Sequence, residues 1–125
     1  MTQSAGEKIR RQVMGDAFVD RALSQANYMT EPVQEFINEH AWGAVWTRPG
    51  LELKTRSLIT LAALTALKAP QELKGHVRGA LNNGCTPEEI RETLLHMAVY
   101  CGAPAAQEAF RAAREVLDEI LPQGK

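Results

Sequence analysis

The chain has 125 residues, and 14 Lys and Arg side chains against 15 Asp and Glu side chains give it a formal net charge of −1. A content of 45% hydrophobic and 23% charged residues is typical of a globular protein, and the length fits a single domain, which we expect to cover residues 1–125. The balanced charges argue against nucleic acid as a partner, and no apolar stretch reaches the roughly 20 residues needed to cross a membrane.

The N-terminal part of the chain predicts two short helices. Residues 1–11 lack the apolar core that a secretory signal needs, so we expect a cytoplasmic protein. The first helix is predicted over about residues 4–14, where Gly15 ends it, and the second over about residues 16–26.

Two longer helices follow, one on each side of a break at Pro49 and Gly50. We expect residues 30–46 to form the first of them. Its predicted apolar stripe consists of Val33, Phe36, Ile37 and His40. The second, residues 53–68, is apolar on nearly every face, which predicts a helix surrounded by other helices or by another subunit.

The C-terminal half has the clearest helix boundaries. Prolines in the first turn and glycines after the last turn predict helices over about residues 70–82, 87–101 and 104–120. Thr86 and Glu89 have the spacing of a capping box. Because no segment alternates apolar and polar residues, we predict an all-α fold, a compact bundle of about six to seven helices.

Ligands for a metal ion are sparse. The two cysteines, Cys85 and Cys101, match neither a zinc pattern nor a CxxC redox pair, and we interpret both as structural, because free cysteine commonly behaves as a small hydrophobic residue. Glu88, Glu92 and His96 recur at four residues but lack the HExxH order of metalloproteases. We therefore predict no metal site.

His76 is the first candidate for proton transfer, because histidine is the side chain whose ordinary pKa lies near neutrality. Glu72 precedes it by four residues, so the carboxylate and the imidazole share one face of a helix. The spacing by itself also fits a surface ion pair.

A run rich in aromatic residues offers a second candidate region, with His40, Trp42, Trp46 and Arg48 close together. Aromatic side chains beside an arginine can line a pocket for an anion, although Trp42 and Trp46 can also form one hydrophobic face of a helix. Arg56 lies in the most apolar helix and needs a partner there, either an internal carboxylate or a bound anion.

Four stretches are informative when taken together. They are residues 40–51 (HAWGAVWTRPGL), 54–56 (KTR), 75–84 (GHVRGALNNG) and 100–106 (YCGAPAA). Jointly they resemble the carboxymuconolactone decarboxylase family, and the resemblance extends over about residues 13–117. The related alkylhydroperoxidase D-like enzymes place cysteines seven and four residues before the histidine. Ala69 and Glu72 stand at those positions here, so peroxide reduction by a thiol pair is not expected.

The resemblance implies an alkylhydroperoxidase D-like helical fold and a reaction without a cofactor. That reaction is the loss of CO2 from 4-carboxymuconolactone, a small lactone dicarboxylate, to give 3-oxoadipate enol-lactone in protocatechuate breakdown by the β-ketoadipate pathway. The resemblance further implies a ring-like homo-oligomer, a hexamer, with pockets close to the contacts between subunits.

Roles for the candidate residues follow from this reaction. The resemblance makes His76 the proton donor or the donor that stabilises the enolate, and we hypothesise that Glu72 orients it. The charge of the substrate predicts that Arg48 and Arg56 bind its carboxylates. The motif around His40, Trp42 and Trp46 predicts a pocket from which these three side chains exclude water.

Two alternatives to decarboxylation of 4-carboxymuconolactone remain. A related member of the superfamily can act on another small lactone or acid. A non-catalytic helical oligomer that binds small ligands is the other reading, because Ser57 stands where the redox branch has its proton-relaying glutamate. An assay for turnover of 4-carboxymuconolactone distinguishes all three hypotheses.

Overall fold

The computed structural model of the chain describes residues 4–121, so the ends of the predicted domain, 1–125, lie outside the described residues. These residues are all-α, as predicted, with no strand among them. The helices are α1 (Ala5–Met14), α2 (Asp16–Ser24), α3 (Glu31–Phe36), a π-helix (Ile37–Trp46), α4 (Leu53–Ala66), α5 (Pro70–Asn82), α6 (Pro87–Cys101) and α7 (Ala103–Ile120). None of the described helices has the length and apolar character needed to cross a membrane.

Local signals set the boundaries of α5 and α6 where the sequence predicted them. The Thr86 hydroxyl accepts a hydrogen bond from the Glu89 backbone N–H at 3.1 Å, and the Glu89 carboxylate accepts one from the Thr86 N–H at 2.9 Å. This capping box satisfies N–H groups that the first turn of α6 leaves without a carbonyl partner. Gly84 follows α5 with a φ of 92°, a conformation that glycine adopts without strain.

The chain divides into two compact units, and the first covers Met1–Leu53. Its core consists of the buried residues Val13, Met14, Val19, Trp42 and Trp46. Helix α1 approaches the π-helix very closely, because a Cβ on Gly6 would lie 1.9 Å from the Asn38 carbonyl oxygen. Only glycine allows two backbones to approach this closely.

The π-helix corrects the prediction of one regular helix over residues 30–46. The inward residues of the π-helix are Ile37, Ala41, Trp42 and Trp46. They recur at four or five residues, which suits the wider turn that i to i+5 hydrogen bonds produce. The predicted buried stripe is therefore wrong for three of its residues, because Val33, Phe36 and His40 are exposed.

The second unit covers Lys54–Lys125. Helices α5 and α6 pack against α7, whose inward face carries five alanines and Val116. These small side chains let the neighbouring helices approach closely. The core that results consists of Leu61, Leu73, Val77, Ala80, Cys85, Ile90, Leu94, Ala109, Ala112, Ala113 and Val116.

Helix α4 buries a narrower stripe than its composition predicted. Ser57, Leu61 and Thr65 recur every four residues and are fully buried, whereas Ile59 is more than half exposed. The other described helices of the chain therefore do not surround α4, and the alternative, that another subunit covers its exposed face, stays a prediction. The prediction of one domain over residues 1–125 stays a prediction.

Candidate functional site

His76 lies on α5 beside the stripe of that helix that faces the core. Leu73, Val77 and Ala80 form the stripe and are fully buried, whereas His76 is partly buried. The backbone of His76 is therefore held by the packing of α5 against α7, and its imidazole lies at the edge of the core. An imidazole in such a position can exchange protons and remain accessible to a small ligand.

Glu72 shares the helix face of His76, but its carboxylate is exposed. Among residues 4–121 it makes no hydrogen bond or ion pair, with His76 or with any other side chain. The structure therefore does not bring these two side chains together, either as a surface ion pair or as a catalytic pair.

Arg56 is partly buried on α4, in the same unit as His76. The next residue, Ser57, is fully buried, and its hydroxyl accepts a 2.9 Å hydrogen bond from the side-chain amide of Asn83. Asn83 follows the last residue of α5. The bond therefore joins the helix that carries Arg56 to the end of the helix that carries His76.

A second set of contacts fixes the start of α4. The Lys54 ammonium pairs with the Glu89 carboxylate at 2.9 Å, and the Cys85 thiol donates to the Lys54 carbonyl oxygen at 3.5 Å. Hydrogen bonds from the Lys54 ammonium and from the Thr86 backbone N–H lower the pKa of Glu89, whereas burial raises the pKa of the Cys85 thiol. A thiol held in its neutral form is a poor nucleophile, which suits a structural role for Cys85.

Trp42 and Trp46 belong to the core of the first unit. Their rings stack with centroids 4.6 Å apart, and both residues are buried against Val13, Met14 and Val19. The interpretation of the two indoles as one hydrophobic face is therefore correct for this unit. A role as one wall of a binding pocket would require a ligand to contact the edge of this pair.

His40 and Arg48 are exposed at the surface of the same unit. The His40 ring lies 4.9 Å from the Phe36 ring, and its Nε2 is 4.0 Å from the Glu39 carboxylate. Arg48 follows the π-helix, and its backbone N–H donates to the Val45 carbonyl oxygen at 3.0 Å. Both side chains can contact a ligand or another subunit without disturbing the core.

The two units thus carry different chemical groups. The first has His40 and Arg48 at its surface and the stacked indoles in its core, and the second has an imidazole and a guanidinium that are both partly buried. A guanidinium binds carboxylates with two parallel hydrogen bonds, and an imidazole can protonate a carbanion or stabilise an enolate oxygen. Within residues 4–121, no group of three or more His, Cys, Asp or Glu side chains is arranged to hold a metal ion.

Two features of the structure were missed by reasoning from the sequence. One is the hydrogen bond between Ser57 and Asn83, for which the chain carries no local signal. The other is Arg10, which is 5% exposed. Its spacing from Gly6 and Val13 places it on the inward stripe of α1, so the periodicity of that helix was a usable signal.

Comparison with known proteins identifies the class to which this chain belongs. The sequence model described as the carboxymuconolactone decarboxylase family matches residues 31–115. A nitrosuccinic acid decarboxylase of Metarhizium robertsii is 48% identical over 120 residues, which are 96% of this chain and 84% of that protein. A 4-carboxymuconolactone decarboxylase of Acinetobacter baylyi is 43% identical over 115 residues, which are 92% of this chain and 86% of that protein.

These similarities support a carboxy-lyase activity. The chain belongs to the carboxymuconolactone decarboxylase family. The names of the two relatives give different acids as substrates, so membership of the family does not by itself identify the substrate of this chain.

Proposed function

We propose that this chain decarboxylates 4-carboxymuconolactone to 3-oxoadipate enol-lactone and needs no cofactor to do so. The observation that carries the proposal is the 43% identity to a 4-carboxymuconolactone decarboxylase over 92% of this chain. The four stretches of sequence that carry the resemblance lie within or beside the helices that hold the candidate residues.

The chemistry of the substrate explains why no cofactor is required. The bond between the γ-carbon and its carboxylate breaks, CO2 leaves, and the electron pair moves through the ring double bond onto the lactone carbonyl oxygen. Protonation of the resulting dienolate at the α-carbon gives the enol-lactone. The protein has to stabilise the dienolate oxygen and deliver one proton.

His76 supplies this proton or the hydrogen bond to the dienolate oxygen. Its position beside the packed face of α5 supports this role, because the core holds its backbone in place and leaves its side chain partly accessible. Glu72 orients the imidazole in this proposal. That role requires the exposed Glu72 side chain to change its rotamer when the substrate binds.

Arg48 and Arg56 bind the two carboxylates of the substrate. The partial burial of Arg56 supports its assignment, because a guanidinium in a drier environment binds an anion more strongly. His40, Trp42 and Trp46 exclude water from the departing carboxylate. Loss of water favours its conversion into uncharged CO2.

Nitrosuccinic acid is the second candidate substrate, because the Metarhizium robertsii relative is 48% identical over 96% of this chain. It is also a dicarboxylic acid with its own electron sink. When the carboxylate beside the nitro group leaves as CO2, the electron pair moves into the nitro group. The same imidazole and guanidinium groups would serve this reaction.

A homo-oligomer, a hexamer, is part of the proposal. Three side chains on one face of α6 support it, namely Leu95, Val99 and Tyr100, which are 53%, 77% and 73% exposed. Neighbouring apolar side chains with this exposure are typical of surfaces that other proteins cover. Light scattering on the purified chain measures its mass in solution.

The experiment that tests the function compares the two acids. Purified protein is given 4-carboxymuconolactone or nitrosuccinic acid, and CO2 release is followed to obtain kcat/KM for each. We expect the lactone to be turned over with a kcat/KM at least about tenfold higher, which corresponds to about 1.4 kcal/mol of preferential transition-state binding. Preference for nitrosuccinic acid would replace the first candidate with the second, and turnover of neither would support another small acid or a non-catalytic role.

A further inference from the structure

A cleft in the first unit has the chemistry of a binding site for a carboxylate. Its volume is approximately 370 Å³, within the usual range for sites that bind small molecules. Its lining residues are Phe18, Arg21, Ala22, Gln25, Ala26, Thr30 and Gln34. They include an arginine and two amides but no carboxylate.

Arg21 is the charged residue among those that line the cleft. It is exposed, and no carboxylate of the described residues forms an ion pair with it. The neighbouring Asp20 is already paired with Arg11 at 2.8 Å. The positive charge of Arg21 is therefore available to an anion in the cleft.

Gln34 contributes a donor with a fixed orientation. Its side-chain oxygen accepts a 3.0 Å hydrogen bond from Arg10, and because a guanidinium has only donors, this oxygen must face Arg10. The amide nitrogen of Gln34 then points away from Arg10. Among residues 4–121 this nitrogen has no acceptor, so it can donate to a ligand in the cleft.

Arg10 places a buried positive charge next to Gln34, one of the residues that line the cleft. It donates to Gln34 and, at 2.9 Å, to Asn38, but it forms no ion pair with a described carboxylate. Arg10 is 5% exposed, so its charge is poorly solvated, and this burial lowers the pKa of its guanidinium. An anion near Gln34 would offset part of the cost of burying this charge.

We propose that this cleft binds a small carboxylic acid. The carboxylate accepts hydrogen bonds from Arg21 and Gln34, and the apolar body of the ligand lies on Phe18, Ala22 and Ala26. This site goes beyond the proposed decarboxylation, because none of its residues takes part in that reaction. It is a second acid-binding site, carried by the first unit alone.

The test uses the full-length protein with alanine methyl groups labelled for NMR, and benzoate as the probe. We expect benzoate to shift the methyl signals of Ala22 and Ala26 and to leave that of Ala112, in the core of the second unit, unchanged. Benzamide has the same ring without the charge, and we expect it to bind at least about tenfold more weakly. Equal binding of the two probes, or no shift at Ala22 and Ala26, would overturn the proposal.

Variants locate the site and separate it from the decarboxylase site. Arg21→Gln should weaken benzoate binding about tenfold or more, the loss of one hydrogen bond to a charged group. Arg111→Gln, which changes an exposed arginine of α7, should leave the affinity unchanged. The His76→Ala variant should bind benzoate at Ala22 and Ala26 like the unmodified chain, whatever its activity. Dependence of these shifts on His76, or their persistence in Arg21→Gln, would contradict a separate site.

Discussion

The amide nitrogen of Asn83 lies 2.9 Å from the hydroxyl oxygen of Ser57 and donates a hydrogen bond to it. The two residues are 26 positions apart in sequence, and Ser57 is fully buried. This bond fixes the register between α4 and the end of α5. The relative placement of Arg56 and His76 depends on that register.

A double-mutant cycle measures what this bond contributes to stability. Ser57→Ala and Asn83→Ala are made singly and together, and the free energy of unfolding is measured by chemical denaturation. We predict a coupling of about 1 kcal/mol, the usual net contribution of a partly buried hydrogen bond. If the effects of the two single substitutions simply add, the bond does not stabilise the unit.

The approach of α1 to the π-helix predicts an unusually destructive substitution. Gly6→Ala places a methyl group 1.9 Å from the Asn38 carbonyl oxygen and 2.8 Å from the Gly43 nitrogen, and neither backbone atom can move aside alone. We predict a loss of about 3 kcal/mol or more in the free energy of unfolding, although helix propensity alone favours alanine by about 1 kcal/mol.

Gly50→Ala is the matched control for this prediction, because a Cβ there would meet no atom within 4 Å. Its effect should stay within about 0.5 kcal/mol. A Gly6→Ala variant as stable as the unmodified chain would show that the helices do not approach this closely.

The ion pair between Lys54 and Glu89 predicts a dependence of stability on pH. Because the pKa of Glu89 is lowered in the folded chain, this group stabilises the fold above its ordinary pKa of about 4.3 and loses that contribution as the pH falls through the lowered value. Glu89→Gln keeps a side chain suited to the capping box but removes the charge. Its unfolding midpoint should therefore fall less steeply below about pH 4.3 than that of the unmodified chain.

Glu88→Gln is the control for the effect of pH, since Glu88 is exposed and lies 3.8 Å from its nearest charged partner, Arg91. This variant should follow the unmodified chain closely at every pH. Identical acid unfolding of Glu89→Gln and the unmodified chain would mean that the ion pair with Lys54 does not act in solution.

Binding of the substrate carboxylates predicts the kinetics of two arginine variants. Arg48→Ala and Arg56→Ala should each lower kcat/KM about tenfold to a hundredfold, the loss of a hydrogen bond to a charged group. Arg56→Lys should restore little of the loss, because an ammonium cannot form the paired hydrogen bonds of a guanidinium. Arg111→Ala serves as the control, and an Arg48→Ala enzyme with full kcat/KM would exclude Arg48 from the site.

The parts of the fold that the sequence predicted well are those with local signals. The boundaries of α5 and α6 agree with prediction because proline in the first turn, a capping box and a glycine with positive φ act within a few residues. The π-helix was not predicted, since spacing of four between Trp42 and Trp46 also fits an α-helix. Its wider turn accompanies packing of the π-helix against α1, which lies about 30 residues earlier in the chain.

The candidate site could be predicted only in part, for a related reason. The motifs singled out His76 and the arginines by residue type, but spacing alone also suggested that Glu72 would contact His76. The exposed Glu72 side chain makes no such contact among the described residues. Arg10 was missed because charged residues on an inward stripe are uncommon, and its partners Gln34 and Asn38 come from distant parts of the sequence.

The most direct test of the central claim is decarboxylation of 4-carboxymuconolactone labelled with ¹³C in the carboxylate on the γ-carbon. In D2O, the account predicts one labelled CO2 released for each enol-lactone formed, with one deuterium at the α-carbon of the product. His76→Ala should lower kcat by about a hundredfold or more, whereas His96→Ala, an exposed histidine on α6, should not. The account would be contradicted if no labelled CO2 were released, or if the His76→Ala enzyme were as fast as the unmodified chain.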